Sequence, residues 1–434
     1  SELGVKAVLE GSVSKAGDRV RITTQLINVS DGFHLWAERF DRTLQDVFTV
    51  QEEIASSIAA ALRVALTPAE TQGLIQNRPD DARAYDLYLK GRARYGSYSA
   101  ESFRDALDLF KKATEIDPNY ALAYAGIADT YGQMVQWDTT QNVSEALKLG
   151  LEAARKAIAL NPRLAEAHKA ESLVLRHAGD HAGARAALRK ALEVNPNFAP
   201  ALINSAVGCF ENGDIAGAER LIRRVIEIDP QEAFAWTWLG ALLVYTSRYD
   251  EAIAAAAHYR TLSSDVFYVT GSYSARTWAS LVRGDNDAAA RFLREGAADG
   301  AEPDNLRTVE AMLAARAGRR EEAVRLLRQV QNSTALNAGA ISIAAGAALR
   351  AGDADLIERF QEKVLRTRMG QTMARLDPEL HPLLDRPPFA PRRWDVTLIW
   401  PLEAPMIDPA RYALFREVKI ESGMPQGSEL QSSR

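Results

Sequence analysis

Three pairs of an Asx residue and a proline, Asn161-Pro162, Asn195-Pro196 and Asp229-Pro230, stand 34 residues apart. Farther on, Gly284, Gly318 and Gly352 keep the same interval in the turn-like contexts VRGDND, ARAGRR and LRAGDA. A period of this length means that one small supersecondary unit is used again and again, each copy burying its apolar side on the next. The 434 residues are long for a single core and fit an array.

Each unit reads as two amphipathic helices. With repeats starting at Ala165, Ala199, Ala233, Thr270, Asp304 and Ala338, the eighth position is Ser172, Ala206, Gly240, Thr277, Ala311 and Ala345, all small. The twentieth is Ala184, Ala218, Ala252, Ala289, Ala323 and Ile357. Helix axes approach closely only where side chains are short, so these columns mark the crossing inside each hairpin. The fifteenth position, Gly179, Gly213, Ser247, Gly284, Gly318 and Gly352, is the turn, where glycine supplies a left-handed backbone. Proline at position thirty-two ends the second helix, because it lacks an N–H and restricts the residue before it.

This pattern resembles the tetratricopeptide repeat: W-x2-L-G-x2-Y early, alanine at twenty, proline at thirty-two. The repeat at Ala233 carries Trp236, Leu239, Gly240 and Ala252 but has Leu243 in the tyrosine column. The unit ending at Pro118 keeps Ala106, Phe110 and Ala113. Pro118 to Pro162 holds ten extra residues, expected in a loop around Val135–Val143. The resemblance implies about eight hairpins between Asp81 and Gly370, the last three without the proline.

The N-terminal residues have a period of two. Val20, Ile22, Thr24 and Leu26 alternate with polar residues as in a half-buried strand. Lys15-Ala16-Gly17-Asp18 reads as the turn from a strand at Val5–Ser14, and Ser30-Asp31-Gly32 as the turn into a strand through Leu35, Trp36 and Phe40. Val50, Ile54, Ile58 and Leu62 then step by four, as on one helix face. The words ELGVKAVLEGSVSKAGDRVRITTQLINVSDGFHLWAERFDRTLQDVFTVQEEI, with RAYDLYLKGRARY beyond them, resemble the second half of the TolB-like domain that precedes tetratricopeptide repeats in bacterial signalling proteins. The resemblance implies the regulatory region of a class III adenylate or guanylate cyclase. Its alternatives are the regulatory region of a kinase or winged-helix regulator, or an envelope-associated TolB-like assembly factor. Because the chain opens on Ser1 inside a strand pattern, a larger protein is expected around it.

Chemistry is scarce. The nucleotide-binding GxxxxGK[ST] loop, HExxH, CxxC and GxSxG are absent, so no catalytic residue, cofactor or metal is assigned and no enzyme activity is expected of this chain. A formal charge of −5 argues against nucleic acid, and no apolar run is long enough for a membrane span. His168, His177 and His181 cluster in sequence but read as helix-end residues. Cys209, the sole cysteine, reads as a small buried group.

The candidate surface is the inner face of the first helices, positions two, five, nine, twelve and thirteen. It gathers Asp129, Gln133, Lys169, Arg176, His177, Phe210, Glu211, Thr237, Val244, Tyr245, Arg316 and Arg350. Aromatics mixed with cations suit a protein or peptide partner bearing carboxylates. After Gly370 prolines crowd in. LDPELHPLLDRPPF resembles the closing segment of the architecture, Trp394, Leu398, Ile399 and Trp400 form an apolar cluster, and GMPQGSELQSSR reads as a tail.

The expectation is a mostly α fold: an α-solenoid of tetratricopeptide-type hairpins preceded by a small incomplete α/β module of three strands and a helix. Its expected parts are the partial module at 1–66, a linker at 67–80, repeats at 81–371 and a Pro-rich cap and tail at 372–434. The expected role is a protein-interaction scaffold in the cytoplasm, or in the periplasm behind an upstream signal. The N-terminal module and the C-terminal tail are the candidate surfaces for a homo-oligomer.

Overall fold

The structure, a computed structural model, describes residues 7–16, 19–29, 32–43, 47–61, 79–97, 99–136, 139–365 and 368–384. Most of the expected linker, parts of both strand turns, the Trp394 cluster and the tail lie outside the described residues. The chain forms two compact units, Ser1–Ala201 and Leu202–Arg434.

The first unit opens with β1 (Ala7–Ala16), β2 (Arg19–Asn28) and β3 (His34–Thr43), an antiparallel sheet in sequence order. The alternation in β2 buries Val20, Thr24 and Leu26 and leaves Arg19, Arg21 and Thr23 in water. Helix α1 (Val47–Ala61) packs on β3, and Phe40 and Val50 join the small core. Leu9 and Val13 of β1 stay exposed although they pair across from Leu26 and Ile22. β1 extends two residues beyond its expected end at Ser14, because the ladder continues until Ala16 pairs with Arg19.

Six helices follow in this unit: α2 (Ala82–Tyr95), α3 (Ala100–Ile116), α4 (Ala121–Gln136), α5 (Val143–Leu160), α6 (Ala165–His177) and α7 (His181–Val194). They pair as α2 with α3, α4 with α5 and α6 with α7, and α4 also packs along α6. Phe110 is fully buried between two glycines: a Cβ on Gly91 or Gly126 would lie 2.6 or 3.0 Å from its ring. The ten extra residues are not confined to a loop. α4 and α5 have 16 and 18 residues where α6 and α7 have 13 and 14, so the insertion lengthens both helices.

The second unit continues with α8 (Ala199–Glu211, crossing the boundary), α9 (Ile215–Ile228), α10 (Ala233–Tyr245), α11 (Tyr249–Leu262), α12 (Val266–Arg283) and α13 (Asn286–Ala298). It closes with α14 (Pro303–Arg316), α15 (Arg320–Val330), α16 (Ala338–Ala351), α17 (Ala354–Leu365) and α18 (Arg368–Leu376), then a 3-10 turn Pro378–Leu380 and α19 (His381–Leu384). Four of the six expected starts coincide with helix starts. The exceptions are Asp304, one residue late, and Thr270, four residues late, because Asp265 caps α12 through the Phe267 N–H and starts it early. Every residue of the eighth and twentieth positions is buried.

The second helices stop by a device only half visible in the proline. Asp117, Asn161, Asn195 and Asp229 each donate their backbone N–H to the carbonyl four residues back. Their side-chain oxygens accept from the N–H two residues on, at 2.9–3.0 Å. The Asx residue thus satisfies helix-end groups on both sides while proline prevents continuation.

All six residues of the turn column have positive φ, and Ser247, at 61°, is the one non-glycine with positive φ among the described residues. A side chain in that region costs roughly 1–2 kcal/mol. Ser247→Gly is therefore expected to stabilise the second unit by about 1 kcal/mol, read as a higher urea midpoint at unchanged slope; a lower midpoint would count against this account of the turn.

Candidate functional site

In the first unit the inner face satisfies itself. Asp129 of α4 accepts from the Tyr95 hydroxyl of α2 at 2.7 Å and from Lys169 Nζ of α6 at 2.6 Å, linking three first helices. The side chains of Lys169 and Asp129 are only 8% and 11% exposed. Gln133 is buried beside them in sequence register, and Arg176 Nη2 donates to Gln136 Oε1 at 2.6 Å. Burial pushes the Glu166 carboxyl above its usual range against the pull of Arg92. Burial, reinforced by Arg176 and His181, holds His177 down at about 3, in its neutral form.

Asp129, Gln133 and Lys169, expected on a groove that mixes aromatics with cations, are buried. First helices of successive hairpins pack directly on one another, so part of their inner face is shared between neighbours rather than offered to water. His168 is also a packing residue: its Nε2 lies 2.8 Å from the Pro162 carbonyl, and Trp236 Nε1 donates to the Pro230 carbonyl at 3.0 Å from the same repeat position. Among the described residues no cluster of His, Cys, Asp and Glu is suited to a metal ion. Burial pushes the Cys209 thiol up to about 12, so it is held as an unreactive thiol.

In the second unit Phe210, Val244 and Tyr245 are buried as well. Phe210, Tyr245 and Trp278 stack edge-on or tilted in succession, with ring centroids 5.4 and 4.9 Å apart, along α8, α10 and α12. The Tyr245 hydroxyl is buried with no hydrogen-bond partner among the described residues. Thr237 turns its hydroxyl back to the Ala233 carbonyl.

The chain's own C-terminal segment lies along this face. Thr372 of α18 donates to the Glu211 carbonyl at 3.1 Å, 161 residues away in sequence. Burial raises the Asp377 carboxyl above the ordinary range, against the smaller pull of Trp278 nearby. Glu379 Oε1 accepts from Arg316 Nη2 and from Arg350 Nη2, both at 2.8 Å. Burial pushes the Glu379 carboxyl up, but the two arginines outweigh it and hold it below its usual range. Leu380 and Leu383 are buried, and Gln361 Nε2 donates to the Leu383 carbonyl at 2.7 Å. At Gly346, the ninth position of its repeat, a Cβ would sit 2.8 Å from Met312 Cε and at ordinary contact distance, 3.5 and 3.9 Å, from Glu379 Oε2 and Leu380, so the missing side chain makes room for Met312. Sequence reasoning found both arginines and missed their partner, although the Asp-Pro of LDPEL repeats the Asx-Pro signal of the hairpin joints.

Helical hairpins with small crossing columns, glycine turns and inner faces that bind chain segments define a helical-repeat protein. Residues 175–242 match the family model of the tetratricopeptide repeat, so this part of the chain carries tetratricopeptide repeats, which indicate a protein–protein interaction scaffold. "Putative adenylate cyclase 3" of Rhizobium meliloti (strain 1021) is 41% identical over 156 residues, 35% of this chain. The match spans 27% of that relative's length. Among solved structures, a tetratricopeptide repeat protein from Parabacteroides merdae ATCC 43184 is 15% identical with a TM-score of 0.41, covering 61% of this chain and 98% of that one. A thermophilic tetratricopeptide repeat protein of Thermus thermophilus is 20% identical with a TM-score of 0.37, covering 44% and 98%. No described helix is long and apolar enough to cross a membrane.

Proposed function

We propose that this chain is the regulatory, partner-binding region of a bacterial signalling protein whose catalytic part is a cyclase-type domain preceding Ser1. The 41% identity over 156 residues to a protein named as an adenylate cyclase carries this reading, and the TolB-like resemblance of the N-terminal residues supports it. In this reading the parts are the module at 1–66, the linker at 67–80, the repeats at 81–371 and the cap and tail at 372–434, in the cytoplasm. Partners are proteins taken on the first-helix faces. The residues that remain at least partly accessible there are Arg176, His177, Glu211, Thr237, Arg316 and Arg350.

The test is the reading frame that encodes the chain, followed by an assay of its full product. A nucleotidyl cyclase domain upstream, whose cyclic-nucleotide output changes several-fold when residues 81–371 are deleted, is the expected result. A kinase, a winged-helix domain or a secretion signal upstream, or a cyclase indifferent to the deletion, would overturn it.

A further inference from the structure

We propose that α18 and the turn after it form an internal strut that sets the curvature of the second unit, and that releasing the strut lets its row of hairpins open. The proposal goes beyond the partner-binding reading above, because it concerns the shape of the stack and not what the stack binds.

A stack in which each hairpin touches only its neighbours has no contact that measures its overall bend. Its curvature is a sum of small offsets between adjacent hairpins, each free to drift a little. α18 supplies contacts of another kind. It packs on α16 and α17, the last hairpin, while its buried Thr372 donates to the carbonyl of Glu211 at the end of α8, in the first hairpin of the unit. The hairpins α10–α11, α12–α13 and α14–α15 are skipped between these two contacts. Packed helices stand about 8–10 Å apart, so the steps from α8 through α10, α12 and α14 to α16 would take roughly 30–40 Å in a straight row. Thr372 is at the middle of the nine-residue α18, only about 6 Å of helix from either end at 1.5 Å per residue. So short an element meets both α8 and α16 only where the row is bent, and it then lies as a chord across the bend.

The turn after α18 adds ties along the same chord. Glu379 Oε1 accepts from Arg316 of α14 and Arg350 of α16, which fixes the spacing of two consecutive first helices. Arg316 also donates from Nη1 to the Leu281 carbonyl at 2.7 Å and to Asn286 Oδ1 at 3.0 Å, carrying the tie on to the turn between α12 and α13. The Leu383 carbonyl accepts from Gln361 of α17 at 2.7 Å. Met373, Ala374, Leu380 and Leu383 are buried, so apolar area seats the strut along with these polar ties. The strut and the bend hold each other. Opening the row pulls the anchors apart, and unseating the strut removes the contacts that reach across hairpins. The unit is thereby a two-state element, closed with the strut seated and open without it.

The experiment uses the full 434-residue chain with spin labels on Glu227→Cys and Glu358→Cys, exposed positions on the second helices of the first and last hairpins of the unit; the native Cys209 is buried. Glu379→Arg sets a third cation against Arg316 and Arg350 and is expected to unseat the strut. The interlabel distance should then lengthen by about 5 Å or more, half of one interhelical spacing, while hydrogen exchange speeds up in residues 372–383 and helicity is retained. Adding Arg350→Glu restores a pair of opposite charges and is expected to bring the distance back. Fast exchange of the segment at an unchanged distance would overturn the proposal, as would a lengthened distance that Arg350→Glu does not reverse. Leu380→Asp with Leu383→Asp unseats the strut without touching the arginines and must lengthen the distance as well. A segment that stays protected in both variants is not held by these anchors, which also sinks the idea. None of these readouts involves cyclic-nucleotide output or a partner, so failure here is distinct from failure of the reading above.

Discussion

Asp129→Ala is expected to destabilise the first unit by about 3–5 kcal/mol, the usual cost of removing one partner from a buried ion pair. Lys169 Nζ and Asp129 Oδ1 are 2.6 Å apart with side chains 8% and 11% exposed, so water cannot take over the carboxylate's role without opening the packing between α4 and α6. The same change removes the acceptor that the Tyr95 hydroxyl has in Asp129 Oδ2, which adds to the loss. The pair as a whole is worth much less than this single loss suggests. Replacing both members by apolar residues of similar size, Asp129→Leu with Lys169→Met, removes the orphaned ammonium and is expected to recover most of the stability. Chemical denaturation of the two variants checks both statements. A loss under about 1 kcal/mol for Asp129→Ala would show that the pair behaves as a surface bridge. Charge reversal at Lys169 sets two anions together at this site, so it reports on folding before it reports on any partner.

The repeat itself was legible because its causes are local. Position eight must be small where two helix axes cross, and position twenty is alanine in five of six repeats; Ser172, Ala206, Ala311 and their equivalents are buried as that rule requires. The turn column must be left-handed, and even Ser247 complies. The candidate face was legible only as a set of positions. Whether a residue on it meets water or a neighbouring first helix depends on the offset between hairpins, and the long α4–α5 hairpin puts Lys169 opposite Asp129, 40 residues earlier. The partner of Arg316 and Arg350 leaves no mark in the sequence pattern, because Glu379, 63 and 29 residues away, follows no period that connects it to them. A chain segment folding back over its own groove leaves only a local trace, here a further Asp-Pro with the same turn: Asp377 Oδ1 accepts from the Glu379 N–H at 3.0 Å.

Gly240 allows the crossing rule to be tested with two substitutions of opposite sign. A Cβ at this position would meet the Ala252 carbonyl at 3.6 Å and Ala256 N and Cβ at 3.9 and 4.0 Å, all ordinary contact distances. There is room for one methyl between α10 and α11, and the atoms beyond it are backbone and alanine, which have no rotamer with which to yield. Gly240→Ala is thus expected to be tolerated and to gain up to about 1 kcal/mol, since glycine is a poor residue inside a helix. Gly240→Trp must push the two helices apart along their buried line, and overpacking of this kind costs about 1–3 kcal/mol and occasionally more. Because each hairpin of the unit packs on the next, the displaced pair cannot relax without uncovering apolar surface on its neighbours, which places the expected loss at about 3 kcal/mol, the upper end of that range. Thermal melts of the two variants are expected to move in opposite directions. If Gly240→Trp melts with the unaltered chain, position eight is not where the helices meet.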